Sequence, residues 1–280
     1  MILARTRGAL ARALHELRPR GPLALVPTMG YLHEGHLSLL DCARESGGPV
    51  AVSIFVNPLQ FGPSEDFARY PRDEARDLAL MEPRGADLVF LPPVEEMYPG
   101  GEPRVTVRAG AMGDVLCGAY RPGHFDGVLT VVAKLFGLFR PAAAIFGSKD
   151  FQQAVLISRM VIDLELGVEV RTAPIVREED GLAMSSRNAY LSREERAEAV
   201  GLSRSLEAAL AAFRGGERSA GALRAVAVER LEAFPLLEPQ YVELVHPETL
   251  ERVEEARRGT VLALAAFAGR TRLIDNVALS

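Results

Sequence analysis

The chain has 280 residues, a formal net charge of −5, and 48% hydrophobic and 25% charged residues, as in an ordinary globular protein. An acidic chain lacks the broad basic surface that DNA or RNA binding requires, and no apolar run approaches the ~20 residues needed to span a bilayer. Arg5, Arg7 and Arg12 interrupt the first apolar residues, so we expect no signal peptide. Cys42 and Cys117 form no metal or redox motif, and we therefore expect a cytoplasmic protein.

Short apolar runs alternate with helical periodicity over the first 175 residues. Strands are predicted at 23–26, 50–56, 87–91, 142–146 and 168–172, and helices at 35–45, 71–81, 124–139 and 150–164. This alternation predicts an α/β fold, a Rossmann-like doubly wound parallel sheet with helices on both faces. Ligands of such sheets bind at the carboxyl ends of the strands. The residues just past those ends, 27–36, 57–60 and 147–153, are therefore predicted to converge.

The pattern changes after about residue 175. A polar stretch covers 177–191, and Ser192 with Glu195 forms a capping-box pattern that predicts one long helix reaching Phe213. A second helix at 220–234 and strands at 241–245, 261–267 and 273–277 complete the predicted elements. We expect a first domain at 1–175 and a smaller α+β C-terminal lid domain at 176–280.

Two of the five histidines, His33 and His36, lie three residues apart where a predicted strand turns into a helix. Residues at this spacing share a helix face, and the turn offers backbone N–H groups and the positive end of the helix dipole to an anion. The pattern predicts a nucleotide phosphate site. Metal ligation is the alternative: the spacing is not that of the zinc proteases and no cysteine lies near, although a distant carboxylate or histidine could complete a set. A purely structural role is the second alternative.

Lysine usage is unusual, with two lysines against thirty arginines. Lysine is a compact point charge on a flexible stem, and a site that needs this cannot easily accept the planar guanidinium of arginine. Lys149 directly follows a predicted strand, at a second strand-to-helix junction, and is therefore predicted to bind phosphate. Lys134 lies in an apolar helix pattern and is predicted to be a solvated or snorkelling side chain.

Amide side chains follow two of the predicted strands. Gln60 can donate and accept hydrogen bonds at once, which suits a substrate with carboxylate and hydroxyl groups; the alternative is a loop-stabilising amide. Of Gln152 and Gln153, the second lies one helical turn after Asp150 and is predicted to face the site. Asp150 itself is predicted either to bind ribose hydroxyls or to cap its helix.

A polar segment near the predicted domain boundary contains Ser185, Ser186 and Arg187. Hydroxyls, backbone amides and a guanidinium fork are suitable phosphate ligands. The same three residues, taken alone, are also typical of an ordinary polar loop.

Taken together, these segments resemble the pantoate–β-alanine ligase (pantothenate synthetase) family, of the nucleotidylyltransferase superfamily whose His-x-Gly-His signature also occurs in class I aminoacyl-tRNA synthetases. The matching segments are 27–36, 55–62, 121–128, 146–153 and 181–191. Ser148 differs from the family, which more often has Glu or Gln before the lysine. The resemblance implies an AMP-forming ligase that activates pantoate with ATP as a pantoyl adenylate and then transfers it to β-alanine.

The resemblance also implies roles for individual residues. The implied catalytic residues are His33, His36, Lys149 and Arg187. The implied ATP-binding residues are Met29, Gly30, Tyr31, Leu32, His33, Glu34, Gly35, His36, Gly147, Ser148, Lys149, Asp150, Val176, Met184, Ser185, Ser186 and Arg187. Gln60 and Gln153 would bind pantoate, and Gln60 also β-alanine. Mg²⁺ would accompany ATP with few protein ligands, a homodimer is expected, and neither nucleic acid nor membrane is an expected partner.

Two other functions remain open at the level of sequence. Another nucleotidylyltransferase would also use the histidine motif, but would not need the paired glutamines and would leave the nucleotide on its product. A tRNA-charging enzyme would want a basic surface and an anticodon module, and neither is evident. A non-catalytic nucleotide sensor would keep the phosphate loops without needing His36, Lys149 and Arg187 together.

Overall fold

A computed structural model describes residues 1–63 and 65–280, which form two compact units. The first unit comprises Met1–Asp114, Gly118–Ser148 and Gln153–Pro174, and the second comprises Val115–Cys117, Lys149–Gln152 and Ile175–Ser280. Within the described ranges, no helix has both the length and the apolar character needed to cross a membrane.

The first unit is built on a six-stranded sheet. Its strands are β1 (Ile2–Ala4), β2 (Ala24–Thr28), β3 (Val50–Ile54), β4 (Leu88–Phe90), β5 (Ala143–Gly147) and β6 (Glu169–Ala173). The helices along this part of the chain are α1 (Arg7–Leu17), α2 (Glu34–Arg44), α3 (Glu74–Met81), α4 (Val94–Met97), α5 (Cys117–Tyr120), α6 (His124–Phe139) and α7 (Phe151–Asp163). The first residues of α5 and α7 belong to the second unit.

The sheet is parallel throughout, with the strand order β1-β4-β3-β2-β5-β6. The chain reverses its direction of winding between β2 and β5, which are neighbours with Ala24 opposite Ala143. Ligands of doubly wound sheets bind at such a switch point, beyond the carboxyl ends of the strands. The predicted fold class is therefore confirmed, and the histidine turn lies directly beyond one of these two strands.

Both faces of the central strands are buried, as expected for a sheet covered on both sides. One face packs with residues of α2 and α3, such as Leu40 and Met81, which are fully buried. On the other face the Phe90 and Phe139 rings meet edge-on, with their centroids 5.8 Å apart. This rigid core fixes the positions of the loops at the carboxyl edge.

Some local features differ from the sequence-based expectations. The helix predicted from residue 71 begins at Glu74, because the Asp73 side chain accepts a hydrogen bond from the Arg76 N–H, 3.1 Å away, and caps it there. The N-terminal strand β1 and helix α1 were not predicted. A three-residue strand carries almost no periodic signal.

The second unit contains α8 (Arg193–Ala199), α9 (Gly201–Arg214), α10 (Ala220–Glu232) and an antiparallel sheet of β7 (Leu237–Val245), β8 (Val261–Ala268) and β9 (Thr271–Ala278). The predicted capping box is present, with Ser192 and Glu195 exchanging hydrogen bonds. The prediction of one long helix is wrong: it is interrupted at Val200, before Gly201, a poor helix former that packs against Phe234.

Candidate active site

The histidine turn connects β2 to α2, with His33 at the N-cap of the helix. The His33 backbone N–H donates to Nδ1 of His36, 3.3 Å away, which requires a lone pair on Nδ1. The His36 ring therefore carries its proton on Nε2 and can donate from there. The two imidazole centroids are 4.1 Å apart, so both rings lie together at the carboxyl end of β2.

Asp77, a buried residue of α3, stabilises this turn through hydrogen bonds. Its two carboxylate oxygens accept the backbone N–H groups of Tyr31 and Leu32, each at 2.7 Å. Burial raises the pKa of Asp77 above its ordinary value, although these hydrogen bonds act in the opposite direction. The sequence assigned the N–H groups of the turn to an anionic ligand. For Tyr31 and Leu32 that expectation is wrong, because the protein supplies its own carboxylate.

The backbone conformation of the turn explains its glycine. Gly30 and Tyr31 both have positive φ, +82° and +50°, and a Cβ on Gly30 would lie 2.9 Å from Cγ2 of Ile54 and 3.1 Å from Oδ2 of Asp77. Only glycine fits there without strain. The Arg76 guanidinium also donates to the Leu32 carbonyl at 2.9 Å, so α3 fixes the turn at three backbone atoms.

Gln60 is buried in a short 3₁₀ turn, Pro58–Gln60, that follows β3. The fully buried Asn57 sets its amide orientation: Asn57 Nδ2 donates to Gln60 Oε1 at 3.0 Å, while Tyr98 Oη donates to Asn57 Oδ1 at 2.8 Å. Gln60 therefore directs its Nε2 donor toward the histidine turn, 3.3 Å from Met29 Sδ. The structure thus brings together a donor amide and the turn that carries both histidines.

Strand β5 ends at Gly147, and the loop after it begins in the first unit with Ser148. The Ser148 hydroxyl donates to the Ala173 carbonyl at 2.8 Å, and this side chain therefore supports the end of the neighbouring strand. Gln153 is half-buried at the point where the chain returns to the first unit.

Lys149 and Asp150 belong to the second unit. Asn276 on β9 donates from Nδ2 to the Lys149 carbonyl, 3.0 Å away, and fixes the lysine backbone. Burial lowers the pKa of the Lys149 ammonium; the Arg187 guanidinium acts in the same direction, whereas Asp150 and Asp275 oppose it. The charges of two predicted phosphate ligands, Lys149 and Arg187, thus act on each other within this unit.

Gln152, next to the predicted ligand Gln153, has a structural role in the second unit. Its Oε1 accepts the Cys117 N–H at 3.0 Å and its Nε2 donates to the Val115 carbonyl at 2.8 Å. It is buried and clamps the segment Val115–Cys117.

A partly buried ion pair fixes the chain before the Ser-Ser-Arg segment. Arg177 makes a two-pronged pair with Asp275 of β9, at 2.6 and 3.0 Å, and also donates to the Gly181 carbonyl. The Met184 N–H then closes the hairpin by donating to the Val176 carbonyl at 3.0 Å. Val176 and Met184, predicted to lie near ATP, are therefore fixed side by side.

Ser185 caps the 3₁₀ turn Ser186–Tyr190, accepting the Arg187 N–H at 3.3 Å. Asn188 ties this turn to the hairpin, since its amide donates to Glu178 at 2.8 Å and to the Ala183 carbonyl at 3.2 Å. The position of Arg187 is therefore set by its neighbours in the turn.

The supporting residues that were not assigned a role by the sequence include Asp77, Asn57, Asn188, Asp275 and Asn276. Asp77 lies in an ordinary amphipathic helix and Asn276 in an ordinary strand, so no local pattern distinguishes them. Asn57 and Asn188 lie within segments that the sequence had singled out, and their amide groups were the available signal. No group of three or more His, Cys, Asp and Glu residues in the described ranges is arranged to hold a metal ion.

Comparison with known proteins gives consistent results along the whole chain. The pantoate-beta-alanine ligase family model matches residues 3–278. The pantothenate synthetase of Thermoanaerobacter sp. (strain X514) is 56% identical over 255 residues, 91% of this chain and 90% of the relative. That of Desulfitobacterium hafniense (strain DSM 10664 / DCB-2) is 54% identical over 280 residues, 100% of this chain and 99% of the relative.

Solved structures agree with these sequence relatives. The pantothenate synthetase of Thermus thermophilus superposes with a TM-score of 0.94 at 47% identity, covering 100% of this chain and 99% of that one. The pantoate-beta-alanine ligase of Francisella tularensis, solved in complex with beta-gamma ATP and beta-alanine, gives a TM-score of 0.80 at 29% identity, covering 99% of this chain and 97% of that one. The chain belongs to the pantoate–β-alanine ligase family.

Proposed function

We propose that the protein condenses (R)-pantoate with β-alanine to form pantothenate, using ATP. In the first step a pantoate carboxylate oxygen attacks the α-phosphorus of ATP, the bond to the bridging oxygen breaks, and pyrophosphate leaves. In the second step the β-alanine nitrogen attacks the acyl carbon of the pantoyl adenylate, loses a proton, and releases AMP. Family membership supports this proposal, as does the complex of the Francisella relative.

One observation in this chain carries the proposal. The Gln60 amide is locked by Asn57 with its Nε2 donor facing the histidine turn at Met29. A donor next to a phosphate-binding turn suits an anionic acceptor substrate such as a carboxylate. A nucleotide sensor has no use for a rigid, buried donor in this position.

The reaction needs no covalent bond between the protein and the substrates. Catalysis would therefore depend mainly on positioning of the substrates and stabilisation of charge. His36 would donate through Nε2–H to phosphate oxygens, with His33 beside it, and Lys149 and Arg187 would neutralise the developing negative charge. We assign Gln60 and Gln153 to pantoate, and Gln60 also to β-alanine. The remaining assignments to ATP follow the family pattern: Met29 to Gly35 around the turn, Gly147, Ser148 and Asp150 after β5, Val176 at the adenine, and Met184 to Ser186 at the triphosphate.

For three of these residues, one group already has a partner within the protein. The Glu34 carboxylate pairs with Arg84 at 2.5 Å, the Ser148 hydroxyl donates to Ala173, and the Tyr31 N–H donates to Asp77. Glu34 and Ser148 would therefore meet ATP through main-chain atoms, and Tyr31 through atoms other than its N–H.

Mg²⁺ is proposed as the partner of ATP. It prefers hard oxygen ligands and keeps several of its waters. Asp150, an exposed carboxylate next to Lys149, fits such an ion as a single protein ligand or through water. The ion would neutralise part of the phosphate charge.

We also propose a domain role, an assembly and a location. Residues 1–175 would bind nucleotide and pantoate, and 176–280 would form a smaller C-terminal lid domain. The working form would be a homodimer, the commonest symmetric assembly. A cytoplasmic location agrees with two cysteines that are both unpaired by disulfides.

The proposed function is tested by measuring AMP release from ATP and Mg²⁺, with pantoate and β-alanine each supplied, omitted or replaced by close analogues. We expect AMP and pantothenate only when both substrates are present. Turnover with another acceptor, with the nucleotide retained on the product, would contradict the proposal in favour of a different nucleotidylyltransferase. ATP binding without turnover would favour the sensor.

A further inference from the structure

The main chain of Gln60 is held by a group of residues that the proposed reaction does not use. Nδ1 of His124, the first residue of α6, lies 2.8 Å from the Gln60 carbonyl oxygen. Nε2 of the same ring lies 2.9 Å from Nη1 of Arg121. Arg121 in turn makes a two-pronged ion pair with Glu65, at 2.7 and 2.6 Å. These residues form a continuous chain of polar contacts from Glu65 to Gln60, all within the first unit.

The chemistry of the two partners fixes the tautomer of His124. A carbonyl oxygen can only accept, so Nδ1 must carry the hydrogen. A guanidinium can only donate, so Nε2 must present its lone pair. The ring is therefore the neutral Nδ1–H tautomer, and a hydrogen on Nε2 would face the N–H of Arg121.

Glu65 keeps Arg121 in place. Burial by itself would raise the pKa of Glu65, but the hydrogen bonds and charge of Arg121 outweigh it, and the pKa lies below its ordinary value. The carboxylate is thus ionised at neutral pH and holds the guanidinium against the His124 ring.

The first turn of α6 also supports the Gln60 loop through close packing. A Cβ on Gly127 would lie 2.2 Å from the Leu59 carbonyl oxygen and 2.7 Å from the Gln60 nitrogen, so only glycine allows this approach. The Gly127 carbonyl accepts Asn57 Nδ2 at 3.1 Å. Backbone and side chain of Gln60 are therefore both fixed from the start of α6, the former by His124 and the latter through Asn57.

We propose that His124, as the neutral Nδ1–H tautomer set by Arg121 and Glu65, is a positioning residue for the pantoate subsite: it fixes the Gln60 main chain so that Nε2 faces the bound carboxylate. The role rests on the proposed function, because Gln60 is assigned there to pantoate. His124 acts only through Gln60 in this scheme and does not itself contact the substrate.

The first test compares His124→Phe with His124→Asn in the AMP-release assay. Phenylalanine keeps an aromatic ring and removes both nitrogens, leaving the Gln60 carbonyl with the longer, 3.4 Å hydrogen bond from Arg121 Nη2 in place of the 2.8 Å bond from His124. We expect a rise of about tenfold in the pantoate KM, with the ATP KM and kcat changed by less than about threefold. Asparagine keeps a donor near the Nδ1 position and should restore the pantoate KM to within about threefold of the wild type.

A double-mutant cycle separates positioning from a general structural effect. If His124 acts through Gln60, His124→Phe should add little to the pantoate KM in a Gln60→Ala background. Full additivity, an equal rise in the ATP KM, or an unchanged pantoate KM in His124→Phe would overturn the proposal. Glu65→Gln, which changes a part-exposed residue, gives a second and milder variant with the same expected selectivity for pantoate.

The tautomer can be read without any enzymatic activity. Nitrogen chemical shifts of ¹⁵N-labelled wild-type histidines, with His124 assigned by its loss in His124→Phe, should show a protonated Nδ1 and an unprotonated Nε2. A protonated Nε2 would contradict the inference. A wild type with this tautomer but no turnover on pantoate would instead refute the proposed function and leave the geometric part standing.

Discussion

The first unit, with the turn that carries His33 and His36, and the second unit, with Lys149, each contain a buried carboxylate that supports the chain, but the two carboxylates have different partners. In the first unit Asp77 binds two backbone N–H groups of the turn directly. In the second unit Asp275 pairs with Arg177, while its neighbour Asn276 holds the Lys149 carbonyl. The proposed phosphate ligands are recognisable in sequence, whereas the residues that hold them are not.

The two kinds of partner predict different losses of stability when the carboxylate is replaced. When a carboxylate that accepts two neutral N–H groups is replaced by an amide, one of the two hydrogen bonds can be retained, because the amide keeps one oxygen. A carboxylate paired with a guanidinium leaves an uncompensated charge when it is removed, which costs more. We therefore expect the second unit to depend more strongly on its buried acid than the first.

The largest effect is expected for two of the proposed phosphate ligands, one from each unit. His36→Ala and Lys149→Ala should each reduce the rate of the adenylation step about 10²–10³-fold, as for removal of one preorganised donor. Pyrophosphate release in a single turnover with pantoate and ATP measures this step. Wild-type rates in both variants would refute the site assignment, and a loss in only one would show that the two units contribute unequally.

Lys149→Arg sharpens this test. It keeps the positive charge but replaces a compact ammonium, at a half-buried position, by a larger planar group. We expect a loss close to that of Lys149→Ala. Activity equal to the wild type would show that a positive charge alone suffices at this position. It would contradict the prediction, based on the scarcity of lysine, that the site needs a compact ammonium group.

The two supporting acids give the next effect, measured as the free energy of unfolding in urea. Asp275→Asn should lower it by about 3 kcal/mol, because Arg177 loses its buried partner. Asp77→Asn should lower it by about 1–3 kcal/mol, because the new amide hydrogen faces one of the backbone N–H groups. A larger loss in Asp77→Asn than in Asp275→Asn would reverse the comparison drawn above.

Adjacent glutamines provide a matched pair with a smaller effect. Gln153→Ala should weaken pantoate about tenfold through loss of one hydrogen bond, with ATP affinity little changed. Gln152→Ala should lower the thermal midpoint, because the Cys117 N–H and the Val115 carbonyl lose their partner, without a selective effect on pantoate. An equal loss of ATP affinity in Gln153→Ala would move this residue to the nucleotide subsite.

The smallest effect concerns the pH dependence of stability. Arg121 lowers the folded-state pKa of Glu65, so this pair contributes stability above the unfolded pKa of about 4.3 and loses it as the pH falls through the folded value. The difference in the free energy of unfolding between wild type and Glu65→Gln should be constant above about pH 5.5 and should decrease below about pH 4.5. Glu169→Gln, which removes an exposed pair with Arg171, is the control. Its free energy of unfolding should differ little from that of the wild type.

The alternating pattern predicted the sheet well. All five strands expected in the first 175 residues are present, within two residues at each end, and α6 has the predicted bounds. This succeeds because buried parallel strands need continuous apolar runs and helices need a 3.6-residue period, and both are local properties. The family expectation is likewise confirmed by the family model and the relatives. The residue assignments at the site remain predictions.

By itself, the sequence determined the fold class and the family, because periodicity and short motifs are local signals. Only the tertiary structure decided which N–H groups of the histidine turn are taken by Asp77, which way the Gln60 amide faces, and which tautomer His124 adopts. These depend on contacts between residues 45, 41 and 64 positions apart. Hydrogen bonds over such distances leave no periodic trace in the sequence, because each partner is an ordinary residue of its own helix, strand or loop.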